Sequence, residues 1–356
     1  MIPELFGLML PKTLFGNILL AVLLGVGLTF LPTGAAEKVP SQPKREKPPA
    51  RLPKVIEVPG EFISIQKAID SALPGDTVLL APGRYKENIR LAPKVHLQGS
   101  GVKETKLTRG SKESQEPIII CADGCVIERL TIWGSKVGAK AGVYINDCSP
   151  TLRNTNIKQN GDSGIAVYNG ARPFITQNAV FNNGYSGINC FDAAPVIVKN
   201  RIFRNKGSGL TMMDSEALIK ENRIYDNLEV GMLVSVSEEK RNDEDFFDSV
   251  IQKNIIQKNL LGGITCELAS PTILENKIFS RGKMALSLFT SNSVIRKNEL
   301  RSSGPPVLRI DQASAPVVED NLIKGTLRFA ILNESKLARL KNNEVKSAWK
   351  PQFNPR

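Results

Sequence analysis

Histidine is almost missing from this chain: among 356 residues, His96 is the only one. That scarcity excludes chemistry built on several imidazoles, whether a multi-histidine metal centre or a proton relay. His96 lies in the alternating segment Lys94-Val95-His96-Leu97-Gln98, where it reads as a packed residue near the start of the fold. Long apolar runs are missing too. The one extended stretch, Ile18 to Leu31, is about 14 residues, against the roughly 20 that a membrane-spanning helix needs. Aromatic residues make up only 6% of the chain, and no nucleic-acid-binding module is recognisable. Hydrophobic residues at 41% still suffice for a continuous core, so the chain as a whole is not a disordered one.

Charge is present in one-sided excess, at +12. Such a balance serves solubility, and it also suits an anionic partner such as a uronic-acid polysaccharide. At the N-terminus, Lys12 precedes the short apolar run, and Gly34, Ala35 and Ala36 follow it. This predicts an export signal over residues 1–36, cleaved near Ala36, with an uncleaved membrane anchor as the alternative. Residues 37–54 carry five prolines and six basic residues and read as an extended linker. The expected destination is the periplasm or the extracellular space, with membrane contact only if the N-terminal segment is retained.

From Val55 the sequence reads as an entry cap. Ile65, Ala68, Ile69 and Ala72 share one helical face, Pro74-Gly75-Asp76 makes a turn, and Thr77-Val78-Leu79-Leu80 follows as a strand. Beyond it the chain repeats. Thr155 and then Asn178, Asn200, Asn222, Asn254, Asn276, Asn298, Asn321 and Asn343 recur every 22 or 23 residues, except for one gap of 32 between Asn222 and Asn254. A second asparagine follows five residues on, at Asn160, Asn183, Asn205, Asn227 and Asn259, and aliphatics flank the first. A period of this length suits a solenoid coil of three short strands, in which successive coils pair in parallel. A buried asparagine at a turn both donates and accepts, so it can satisfy turn amides that the strands leave unpaired. The fold expected over residues 55–348 is therefore all-β, a right-handed parallel β-helix with a short N-terminal capping helix, followed by a tail at 349–356.

These features resemble the parallel β-helix repeat proteins of the pectin-lyase-like class. The entry segment from Ile65 through Pro82-Gly83-Arg84-Tyr85 is similar to their N-terminal cap, and coils such as Gly187-Ile188-Asn189-Cys190-Phe191-Asp192 are similar to those of NosD-type periplasmic proteins. The resemblance implies the fold but spans many functions, among them pectin lyases, hydrolases, epimerases and copper-enzyme maturation factors. No His or Met cluster with ligand spacing supports a copper role here, so no metal site is assigned.

The repeat also sorts side chains. Coils start at Gly142, Gly164, Gly187, Gly209, Gly231, Gly263 and Ala285. The first and third residues after each should point inward, which buries Cys190 and Cys266 three coils apart, roughly 14 Å, and too far for a disulfide. Among Cys121, Cys125 and Cys148, close in register, one bridge is left open. The fourth residue should point outward and the fifth should begin the turn. Two stacks result: Tyr168, Phe191 and Met213 outward, and Asp147, Asn169, Asp192 and Asp214 at the turn.

Asp192 and Asp214 would stand about 5 Å apart, and Asp147 and Asp192 about 10 Å, spacings at which paired carboxylates raise one another's pKa and act as acid and base, as glycoside hydrolysis requires. They also suit a calcium ion, while the side chains of Tyr168, Phe191, Met213 and Asn169 suit sugar rings. Equally, aspartate and asparagine are what turns select, because they cap nearby amides. The ten extra residues within 235–249 lie beside this cluster, and an insertion on a regular solenoid is a common location for function. The sequence thus points to recognition of an extended, acidic polysaccharide along the first sheet, with cleavage as a lyase or hydrolase left open. The alternative is a non-catalytic envelope-structural module, or a NosD-like partner that makes contact through the insertion.

Overall fold

The computed structural model describes residues 51–347, apart from 140, 245, 247, 327 and 328. The expected export signal, most of the linker and the C-terminal tail lie outside the described residues. No helix among the described residues is long and apolar enough to cross a membrane.

Three parallel sheets form the body, with 11, 13 and 12 strands among the described residues. Each coil gives one strand to each sheet. In one coil, Ser163–Tyr168 lies in the first sheet, Phe174–Thr176 in the second and Ala179–Phe181 in the third. The next coil repeats the order with Ile188–Phe191, Val196–Val198 and Arg201–Phe203. Register is kept residue for residue, with Ile165 against Ile188, then Leu210, then Met232.

Like therefore stacks on like. Ile175, Ile197, Ile219, Ile251, Ile273 and Ile295 form one inward column of the second sheet, and all are fully buried. β-branched side chains are stiff and suit this packing. Each contributes up to about 1.5–3 kcal/mol of burial, much of it offset by chain entropy.

Polar ladders hold the corners. Between the second and third sheets each coil turns through a left-handed residue followed by the ladder asparagine: Gln177 before Asn178, Lys199 before Asn200, Glu221 before Asn222. Asn200 shows the bonding. Its side-chain nitrogen donates to Ile175 O at 2.8 Å and to Asn222 Oδ1 at 3.1 Å, while its Oδ1 accepts from Asn178 N at 2.9 Å. The second ladder repeats this from Asn160 to Asn259, with left-handed residues again just ahead.

The coil-starting glycines have a steric cause. A methyl on Gly209 would press into Ile224 Cγ2 and come within 2.6 Å of the Gly231 carbonyl oxygen.

At the entry end, the helix Ile65–Ser71 buries Ile65, Ala68 and Ile69 over the core. Its first turn is capped by Ser64 and by Glu87, whose carboxylate accepts from Ile65 N and Gln66 N. A negative group there also complements the helix dipole. Val55–Val58 precedes this helix as a further strand of the second sheet. Arg51 and Lys54, from the expected linker, are fastened to the body through Asp76.

His96 packs on the outer face of the second sheet. Its Nε2 lies 3.2 Å from Glu128 Oε1, and Glu128 also pairs with Arg153. Burial holds the imidazole below its ordinary pKa against the pull of Glu128.

All five cysteines are free thiols. Cys190 and Cys266 stack inward through Met212 and Val234, both fully buried, as the period requires. Cys121, Cys125 and Cys148 do cluster, and Cys121 shares a hydrogen bond with Cys125.

Candidate functional site

A groove of about 720 Å³ crosses the first sheet and the turns that lead into it. Its floor comes from outward residues of three successive coils: Tyr144, then Tyr168 with Asn169, then Asn189. Its rim comes from Val137, Gly138, Gly161, Asp162, Gly184 and Tyr185. These rim turns approach closely because glycines occupy them; a side chain on Gly184 would enter the Gly161 backbone.

Three tyrosines therefore converge. The rings of Tyr144 and Tyr168 lie 5.7 Å apart at 41°, and Tyr185 stands 47% exposed at the rim. Amides orient the phenols. Asn189 Nδ2 donates to the Tyr168 hydroxyl at 3.1 Å, and Tyr144 OH donates to Asn146 Oδ1 at 3.1 Å. Asn169 Nδ2 donates to that same oxygen at 2.8 Å. Burial raises the Tyr168 phenol above its ordinary pKa, opposed by the Asn189 bond, so it is protonated at neutral pH. Such a surface offers apolar ring faces beside fixed donors and acceptors, the complement of a sugar's apolar face and hydroxyl edge. No lysine or arginine is among the described residues that line it.

The expected stacks are present, but the structure divides them. Tyr168 and Asn169 enter the groove. Phe191 and Met213 continue the same outward column at 40% and 42% exposure, yet they lie outside the concavity.

Asp147, Asn169, Asp192 and Asp214 all adopt left-handed backbone, with φ between 48° and 55°. Asparagine and aspartate tolerate that region best among residues with a side chain, which accounts for their recurrence at this corner. Leu268 and Thr290 hold the same conformation in later coils, so the corner itself needs no carboxylate.

Two of these acids are engaged by the insertion. Asp214 Oδ1 accepts from Ser237 N at 2.6 Å, at the start of the short helix Glu238–Arg241. Asp192 Oδ1 lies 3.1 Å from Lys240 Nζ, and that contact raises the lysine's pKa. Phe246 packs half-buried against the core beneath. The insertion is thus fastened over Asp192 and Asp214, the two carboxylates expected to form a catalytic pair. Among the described residues, no group of three or more His, Cys, Asp or Glu side chains is placed to hold a metal ion.

Tyr144, Asp162, Tyr185 and Asn189 were not among the residues singled out from sequence. Tyr144 and Asn189 are the second residues after their glycines, outward by the same count that found Tyr168. Tyr185 and Asp162 lie in turns that carry no side-chain period.

Residues 118–248 match the family model "right handed beta helix region". Among solved structures, the A-module of mannuronan C-5 epimerase AlgE6 from Azotobacter vinelandii is similar at TM-score 0.58 and 17% identity, over 81% of this chain and 95% of that one. An alginate lyase from Paenibacillus sp. str. FPU-7 is similar at TM-score 0.55 and 14% identity, over 82% and 99%. The periplasmic alginate epimerase AlgG is similar at TM-score 0.55 and 10% identity, over 82% and 83%. No curated protein matches the sequence. At these identities the likeness is one of fold. Its stacked sheets, with the match over residues 118–248, give the chain the fold of a right-handed parallel β-helix.

Proposed function

We propose that this chain is an exported protein that recognises an extended polysaccharide in the tyrosine-lined groove of the first sheet. The observation that carries the reading is the convergence of Tyr144, Tyr168 and Tyr185 with Asn169, Asn189 and Asp162 in one open concavity. The groove crosses successive coils at about 4.8 Å each, so it addresses consecutive units of a chain rather than a single small molecule. Three solved proteins of similar fold are named as acting on alginate or mannuronan, and one of them is named as periplasmic. Both facts favour a polysaccharide encountered outside the cytoplasm, as does the short apolar run after Lys12.

The test is a panel of neutral and acidic polysaccharides, scored for binding by affinity electrophoresis and for new reducing or unsaturated ends. Wild type should bind at least one polymer. Tyr144→Ala, Tyr168→Ala and Tyr185→Ala should each weaken it about 3- to 10-fold, the scale of one lost aromatic contact. If new ends appear, Asp147→Asn, Asp192→Asn and Asp214→Asn decide whether the turn acids take part. Retention of full binding by all three tyrosine variants would refute the proposal.

A further inference from the structure

A second concavity, of about 630 Å³, lies at the turns between the second and third sheets. It is lined by the side chains of Arg129, Asn154, Asn156, Gln177, Lys199 and Arg201, and no carboxylate is among its described lining. Four of these residues form one column. Arg129, Asn154, Gln177 and Lys199 are the left-handed corner residues of four successive coils, with φ between 52° and 60°. The corner fixes their backbone, so their side chains are aligned along the solenoid axis, with cations at both ends and amides between. At about 4.8 Å per coil, the end cations stand roughly 14 Å apart.

Further along, the same column neutralises itself. Glu221, Lys253, Glu275 and Lys297 alternate in sign, and Lys253 pairs with Glu275 at 3.4 Å. Lys199 meets Glu221 at only 3.8 Å and remains 61% exposed. The part from Arg129 to Lys199 lacks that alternation. Arg201 adds a third cation, held over the Phe203 ring at 5.4 Å and bonded to the Tyr225 hydroxyl at 3.3 Å. Arg129 is steadied by its bond to Ser100 O at 3.0 Å.

We infer that this notch is a separate binding site for a linear polysaccharide bearing carboxylates, with Arg129, Lys199 and Arg201 on the carboxylates and Asn154, Asn156 and Gln177 on the hydroxyls between them. A small anion would engage one end only; a polymer with charge at intervals spans both. Arginine is suited to carboxylates by its planar pair of donors. The neighbouring aromatic residues do not favour single-stranded nucleic acid. Phe203 is stacked between Phe181 and Tyr225 at 4.8 and 4.9 Å, which covers both its faces, and Lys158 Nζ lies 5.8 Å over the Phe181 ring, so little of this aromatic surface is open to bases. The inference is independent of the tyrosine groove, and it assigns the anionic preference to a different face.

The experiment compares polygalacturonate, its fully methyl-esterified form and oligo(dT) of matched charge, titrated against the full chain. Wild type should bind polygalacturonate at least tenfold more tightly than the ester or oligo(dT), with affinity falling as salt rises. Lys199→Gln/Arg201→Gln and Arg129→Gln should abolish that difference, whereas Lys253→Gln, in the same column but outside the notch, should leave it unchanged. Lys199→Gln alone, at an exposed position, serves if the double variant fails to fold. Equal binding of the ester, equal or tighter binding of oligo(dT), or wild-type binding by the notch variants would overturn the site. Loss of the difference on Lys253→Gln would also overturn it, while leaving the groove's role standing.

Discussion

Replacing Asn200 by alanine removes five short polar contacts from the middle of the longer ladder. Its Nδ2 donates to Ile175 O, Val198 O and Asn222 Oδ1, and its Oδ1 accepts from Asn178 N and Asn178 Nδ2. Not every partner is left alone. Asn222 Oδ1 keeps the Asn200 main-chain N–H, Val198 O keeps Gln177 N, and Asn178 Nδ2 keeps Leu152 O. The Asn178 main-chain N–H loses this acceptor in a fully buried corner.

One buried donor left unsatisfied costs about 1–3 kcal/mol; the other four contacts, in which two amide hydrogens are shared among three acceptors, count about 0.5 kcal/mol each, so the sum is roughly 3–5 kcal/mol. Asn343→Ala is the internal control. Asn343 bonds Asn321 and Val318 in the same manner, but it is only half-buried, so water can replace the amide. Its cost should be less than half as large. Urea unfolding gives the totals, and hydrogen exchange localises the loss, with the Asn178 amide losing protection first. A cost below about 1 kcal/mol for Asn200→Ala, or one equal to that of Asn343→Ala, would refute the ladder's role.

Other consequences concern the insertion, the thiols and the entry cap. Asp214→Ala and Asp192→Asn should loosen the insertion without unfolding the solenoid, because the Asp192–Lys240 pair is partly exposed and contributes at most about 1 kcal/mol. Limited proteolysis should then cut within 237–246 faster than in wild type, and an unchanged pattern counts against the fastening. Burial raises the Cys190 and Cys266 thiols, the latter to about 12, so neither should react with iodoacetamide at pH 8 until the chain unfolds. Mass spectrometry of the native protein after labelling reads this directly.

Asp76 is held at about 2, below its ordinary 3.8, first by the main-chain bonds from Lys54 and Leu73 and then by Arg51. A carboxylate lowered in the folded state stabilises it fully above about pH 4, and that support is lost as pH falls through about 2. The thermal midpoint of wild type should therefore exceed that of Asp76→Asn at pH 6, with a gap that narrows from pH 4 to pH 2. A gap constant across that range contradicts the assignment.

The sequence by itself determined the solenoid, its period, the inward thiols and the outward place of Tyr168, Phe191 and Met213. In a coil repeated every 22 residues, spacing in sequence is position in space, so a stacked asparagine or isoleucine announces its column. Tertiary structure decided the rest. Lys199, Glu221 and Lys253 turn left-handed at their corners although nothing in their chemistry favours it, because the ladder asparagine after each one fixes the turn. Tyr185 and Val137 reach the groove from turns whose course no period dictates. The turn acids show the same division. The repeat placed Asp192 and Asp214 in one column, but only the folded insertion, whose residues repeat nothing, brought Lys240 and Ser237 onto them.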